Sequence, residues 1–207
     1  GQMSWNMEPT VNFGNIKAVR AQDIVAMDIV RSNINDRPIY FAVTTPDNSK
    51  IGLDDYLQME GLAFRVIPKK TRDFFNAVDA DVMWKQLMEE PEGFSKDYAP
   101  GFKFRGLSDS TIFMDDNHER LTLNYRNSFI RLSYYYLYVT KDIDKAVQVL
   151  DKMEEQIPRH LHPMDYRLLN DVANRYFEAG QIDTYRKLAK DIEAEALREL
   201  EMDPNDF

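Results

Sequence analysis

Hydrophobic positions fall into two regimes along this chain. Over residues 36–67 they come in short runs broken by turn residues, and after that stretch they recur mainly at helical spacing. Residues 1–15 (GQMSWNMEPTVNFGN) have no period and carry Pro9 and Gly14, which predicts a lead-in strand or loop. From Lys17 to Ser32 the residues Ala21, Ile24, Val25, Met27, Ile29 and Val30 form a broad helical stripe that places Asp23 and Asp28 toward solvent. Asn33 and Asn35 stop this helix. Arg37 to Thr45 is rich in aromatic and β-branched residues, a strand signal, with Pro38 tolerable only at its beginning. The polar run 46–50 is turn chemistry. Gly52, Leu53 and Asp54 open a short helix that runs through Glu60. Gly61 ends it in a left-handed conformation, and Leu62 to Ile67 returns as a strand closed by Pro68. The two strands are expected to pair, and so short a connection leaves parallel or antiparallel order open.

Residues 76–90 predict a helix with Val78, Val82, Met83, Trp84, Leu87 and Met88 as its apolar side. Residues 91–114 interleave Pro91, Gly93, Pro100, Gly101 and Gly106 with Phe94, Tyr98, Phe102, Phe104 and Phe113. Detached, such a loop would expose a large apolar area, so it is expected to be pinned to the body. Any of Asp115, Asp116 and Asn117 can cap the helix that follows, on which Leu121, Tyr125, Phe129, Leu132, Tyr136 and Val139 recur at spacings of four and three. Its other side is apolar too from Ile130 onward, which reads as a helix sandwiched between neighbours. A repeat signal comes next. Ala146, Leu150, Met153 and Pro158 fit the second helix of a tetratricopeptide repeat, and Leu169, Ala173, Tyr176 and Gly180 the first helix of the next. Two degenerate repeats are read near 127–158 and 165–199. The fold class is therefore α+β and mostly helical. A small α/β unit (helix, strand, short helix, strand) with an aromatic-rich connecting loop occupies 1–114, packed against a tetratricopeptide-like antiparallel helical array in 115–207.

Composition narrows the function classes. At 43% hydrophobic and 12% aromatic, 207 residues can bury the core of one large domain or two small ones. A net charge of −9 with no basic cluster argues against a nucleic-acid partner, which needs a cationic surface. No run approaches the roughly 18–20 apolar residues of a membrane span, and no signal peptide opens the chain. The absence of cysteine excludes disulfides, thiol catalysis and cysteine zinc sites. Gly1, with no methionine before it, is read as the remnant of a tag on a piece of a longer protein.

Candidate chemistry is sparse. His160 and His162 lie two apart beside Asp165, but that spacing alone fits a solvated inter-helix loop better than a metal site. The acidic run 115–119 lacks the alternating ligands and glycine of a calcium loop, so helix capping is preferred. Glu60, with Arg65 or Arg37 as partner, reads as a structural ion pair before an acid–base pair. No nucleophile elbow, P-loop or dinucleotide fingerprint is present. No catalytic residue, metal ligand or cofactor is assigned.

The runs RPIYF at 37–41, GLDDYLQMEGLAFR at 52–65 and NYR at 124–126 together resemble the C-terminal soluble region of bacterial, mostly Bacteroidetes-type, membrane proteins of the domain-of-unknown-function 2723 family, related to protein O-mannosyltransferases. The resemblance spans about Lys17 to Gly180. It implies that the sugar-transfer machinery lies in a membrane portion outside this sequence and that this part works on the extracytoplasmic, periplasmic side. The favoured function is a non-catalytic interaction domain, whose helical surface meets its own membrane-embedded portion, a peptide or an acceptor protein. The alternative is a glycan- or acceptor-binding module, with Arg37, Tyr40, Tyr56, Glu60 and Arg65 lining a pocket.

Overall fold

A computed structural model describes residues 3–71, 75, 77–91 and 101–202. Helical structure makes up about 54% of the chain, which makes the α+β fold mostly helical. It forms two compact units, Gly1–Gln86 and Leu87–Phe207. Phe94 and Tyr98 of the aromatic loop, like the start of the expected helix at residue 76, lie outside the described residues.

In the first unit the lead-in is a β-hairpin, β1 (Val11–Phe13) and β2 (Ile16–Ala18), paired antiparallel around Gly14 at φ +63°. Helix α1 (Ala21–Asn33) follows. Its rotation differs from the sequence expectation: Asp23 is buried at 2% exposure, whereas Ile24, Val25 and Ile29 are half or more exposed. The cause is an ion cluster. Arg20 donates from Nε and Nη2 to the Asp23 carboxylate at 2.8 and 3.0 Å, Thr10 Oγ1 donates to it at 2.5 Å, and Arg20 reaches Ser49 Oγ at 3.0 Å. A carboxylate with three donors can be buried, and burying it turns the other face of α1 outward.

The three-stranded sheet has the order β3 (Tyr40–Ala42), β5 (Ala63–Val66), β4 (Leu57–Met59), all antiparallel. The expected short helix over 54–60 is a single 3-10 turn at Asp54–Tyr56 that runs straight into β4. Gly61, at φ +80°, turns β4 into β5 instead of ending a helix. The core gathers Val30, Ile51, Leu53, Tyr56, Leu57 and Val66 under Trp5, Met27, Ile39 and Phe64. Ile51 and Gly52 both have positive φ, 52° and 73°. A β-carbon on Gly52 would lie 2.4 Å from the Asn6 carbonyl oxygen, so this crossing of two backbone segments admits no side chain. Backbone bonds between Met59 and the 77–79 segment lead into α2 (Ala80–Met88), and the unit boundary falls in its last turn.

The second unit is helical. Phe102 and Phe104 pack edge-on against Tyr125 of α3 (Asp116–Tyr134), pinning this part of the aromatic segment as expected, but Phe113 is 88% exposed. Asp115, Asp142 and Asp165 cap α3, α4 (Ile143–Gln156) and α5 (Tyr166–Glu178), each accepting the backbone N–H three residues on, at 2.9, 3.1 and 2.8 Å. A π-helical turn, Tyr135–Thr140, extends α3 and ends at Lys141 in left-handed conformation. Gly180, at φ +75°, separates α5 from α6 (Ile182–Met202). Ala146, Leu150, Met153, Leu169, Ala173 and Tyr176 are all at 5% exposure or less. The stripe on α3 is less regular: Leu121 is half exposed and Arg126 is fully buried.

Candidate functional sites

Three of the five residues singled out in the sequence come together. Tyr40 and Arg65 are cross-strand partners on β3 and β5, which puts their side chains on one face. Both reach Glu60 at the β4–β5 turn: Tyr40 Oη donates to Oε2 at 2.9 Å, and Arg65 Nη1 to Oε1 at 3.3 Å. The Glu60 side chain is only 8% exposed. Both of its oxygens are therefore engaged from within the sheet, and its partner is Arg65, not Arg37. Tyr56 lies elsewhere, buried in the core. Its hydroxyl donates to Ser4 O at 2.7 Å and accepts from Ser4 N at 3.2 Å, and its ring meets Trp5 edge-on. Arg37 is exposed and shares with Arg65 a shallow cleft of about 250 Å³ between Pro38 and Pro68.

The second unit holds a larger cleft, about 600 Å³, where the loop after α4 meets α5 and α6. Its floor is apolar, from Pro158, Pro163, Met164 and Leu169, and its rim carries Glu154, Glu155, Asp191 and Glu195 against Arg159 and His160. Arg159 ties the rim together, donating from Nε to Glu154 at 2.6 Å and from Nη1 to Asp191 at 2.9 Å. Burial raises the Glu154 carboxyl above the usual range, while Arg159 pulls the other way. The loop behind the cleft is fixed from inside by Arg126 of α3, whose guanidinium donates to the carbonyls of Ile157 at 3.1 Å, Pro163 at 3.3 Å and His162. Burial brings the Arg126 pKa down to about 10. His162 is itself 4% exposed, with Nε2 bonded to Leu107 O at 2.8 Å, so the loop is less solvated than its sequence implies. Among the described residues no group of three His, Asp or Glu side chains is arranged to hold a metal.

A third cluster joins α3 and its π turn to α5. Tyr134 and Tyr138 stack at 5.7 Å, and Arg175 lies 4.3 Å over the Tyr134 ring. Arg175 donates to both hydroxyls at 2.7 Å and pairs with Asp171 at 2.6 Å and Glu178 at 3.1 Å. The hydroxyls in turn donate to Asp171 and Glu178. Burial, helped by Glu178, pushes the Tyr138 phenol up to about 12. The network links α3 and its π turn to α5 and has the character of a strut between helices, although Arg175 Nε is buried without a hydrogen-bond partner among the described residues. The sequence carried a signal for it, since Asp171, Arg175 and Glu178 recur at helical spacing and Tyr134 and Tyr138 lie four apart. Arg126 stands in the NYR run at 124–126, but nothing in its spacing signalled burial against the loop after α4.

These observations define a mostly helical α+β protein with a Tyr40–Glu60–Arg65 cluster paired within its sheet and, among the described residues, a cleft of about 600 Å³ in its helical unit. Residues 4–82 match the family model of TMEM260-associated domain 2, a stretch that nearly coincides with the first unit and covers less than half of the chain. No curated protein and no solved structure gives a significant match. No helix among the described residues is long and apolar enough to cross a membrane. These findings are compatible with a non-catalytic domain of a membrane protein.

Proposed function

We propose that this chain is a non-catalytic interaction domain of a glycosyltransferase-like membrane protein. In this reading it works on the extracytoplasmic, periplasmic side and is attached to a membrane portion of the domain-of-unknown-function 2723 type. The observation that carries it is the match of residues 4–82 to TMEM260-associated domain 2, a domain associated with a membrane O-mannosyltransferase-like protein. The helical unit presents the binding surface. Full burial of Ala146 and Ala173 supports the tetratricopeptide-like reading, because small residues there let helices approach closely. The α4–α6 cleft combines four carboxylates with apolar lining, which suits a peptide segment bearing a basic side chain on an apolar stem. Arg159 already holds Glu154 and Asp191, so the basic group would compete for Glu155 and Glu195, whose partners Lys152 and Arg198 sit one helical turn away on their own helices. The glycan-binding alternative has less support, because Tyr40, Glu60 and Arg65 satisfy one another and Tyr56 is buried.

The test is fluorescence anisotropy with a labelled peptide of alternating lysine and leucine against the same peptide with glutamate for lysine. The lysine peptide is expected to bind, and Glu155→Lys with Glu195→Lys to abolish binding without loss of helical signal. Equal binding of both peptides, or binding that survives the reversal, would sink the assignment of this cleft.

A further inference from the structure

The β1–β2 hairpin is an amphipathic ribbon whose apolar face has cover at one end only. Its register pairs Val11 with Ala18 and Phe13 with Ile16, and alternation puts these four on one face, with Asn12 and Lys17 on the other. Val11 and Ala18 at the base are half-buried. Phe13 and Ile16 at the tip are 69% and 67% exposed, side by side. The base is clamped: Thr10 N donates to Ala18 O at 3.0 Å, and the Thr10 hydroxyl accepts from Arg20 N at 3.1 Å while donating to buried Asp23. The tip stands clear, with nothing within 4 Å of where a Gly14 β-carbon would be. A single exposed apolar residue needs no explanation, but a cross-strand Phe–Ile pair held away from the body on a clamped base does.

We propose that this tip is a lipid-contacting finger that places Phe13 and Ile16 in the interfacial layer of a bilayer. Charge favours a lipid surface as the occupant. Lys17 is the only charged residue between Pro9 and Val19, in a chain of net charge −9, so the finger is locally cationic where the rest would be repelled by anionic headgroups. The finger also lies within the stretch that matches a domain associated with a membrane protein. Two inserted side chains give weak, reversible attachment, weaker than a single acyl chain, so the finger orients a body that other contacts hold near the membrane. The inference takes from the proposed function only the membrane setting, and the peptide-binding test of the cleft stands or falls separately.

The absence of cysteine makes the test clean. The full 207-residue chain carrying Asn15→Cys, labelled with a polarity-sensitive fluorophore, is mixed with phosphatidylcholine vesicles, with and without one quarter phosphatidylglycerol. A blue shift and co-sedimentation are expected, stronger on the anionic vesicles. Phe13→Ser with Ile16→Ser should weaken binding at least tenfold at unchanged thermal stability, and Lys17→Glu should remove only the anionic preference. No blue shift, sedimentation indifferent to the double substitution, or binding of the tip to a protein partner but not to vesicles would each overturn it.

Discussion

Positions 1–86 carry eleven acidic and ten basic side chains, whereas 87–207 carry twenty-four and sixteen, and each unit is held together by different means. The nearly neutral first unit depends on a few obligatory local features. One is the buried Asp23 cluster, and another is the Gly52 crossing under Asn6, beside a β-branched Ile51 in left-handed conformation. The acidic second unit depends on repetition: capped helices with small and large residues alternating inward, joined by two charged struts at Arg126 and Arg175. The difference teaches where each is fragile. A single added β-carbon can unseat the first unit, while the second yields at a buried charge.

The strongest break in this comparison is Arg126→Met. It leaves the carbonyls of Ile157, His162 and Pro163 without their donor in the interior, and a loss of about 3 kcal/mol is expected. Both tryptophans, Trp5 and Trp84, lie in the first unit, so their fluorescence follows that unit while ellipticity at 222 nm follows mainly the helices of the second. Arg126→Met should lower the ellipticity midpoint and leave the tryptophan midpoint in place. A joint shift of both would mean that the units unfold as one. The mirror experiment is Gly52→Ala, expected to cost about 2 kcal/mol from the clash with Asn6 and the positive φ, and to move the tryptophan midpoint.

The same contrast explains how far the sequence could be read. In the second unit inward positions recur, so Ala146, Leu150, Met153, Leu169, Ala173 and Tyr176 were legible from spacing, as was a cap for α3 within Asp115–Asn117. In the first unit α1 has apolar residues on two faces, and spacing cannot choose between them. The choice is made by Asp23, whose donors Thr10 and Arg20 lie upstream of the helix in the hairpin and its exit. A structural ion pair at Glu60 was legible, but the choice of Arg65 over Arg37 came only with the sheet register. The α4–α6 cleft was not, because Asp191 and Glu195 come to Glu154 only through helix packing, which no local pattern encodes.

A smaller effect separates the units by pH. Tyr138 has a folded pKa raised to about 12 by burial and Glu178, so its contribution is complete below the ordinary phenol value of about 10 and is lost as pH rises from there toward 12. Tyr138→Phe should cost about 1 kcal/mol at neutral pH and flatten that alkaline loss in ellipticity. Asp23 behaves oppositely in the first unit. The hydrogen bond from Arg20, then that from Thr10, lower its pKa, so its contribution is present above the unfolded value of about 3.9 and is lost as pH falls through the folded one. Asp23→Asn should flatten the acid limb of the tryptophan signal and leave the alkaline limb of ellipticity alone. Limbs that fail to separate between the two signals would contradict the assignment.

The smallest expected effect tests the charge contrast itself. Self-repulsion grows with net charge, and the second unit carries eight excess negative charges against one in the first. Raising sodium chloride from a low-salt buffer to about 0.15 M shortens the screening length to about 8 Å, which relieves repulsion among separated surface carboxylates and barely touches pairs as short as Arg159 with Glu154. The ellipticity midpoint should therefore rise by a few tenths of a kcal/mol in stability, with the tryptophan midpoint nearly still. If salt instead lowers the ellipticity midpoint, the surface ion pairs of α4, α5 and α6 outweigh the net charge. The second unit would then be stabilised by its acidic surface rather than burdened by it.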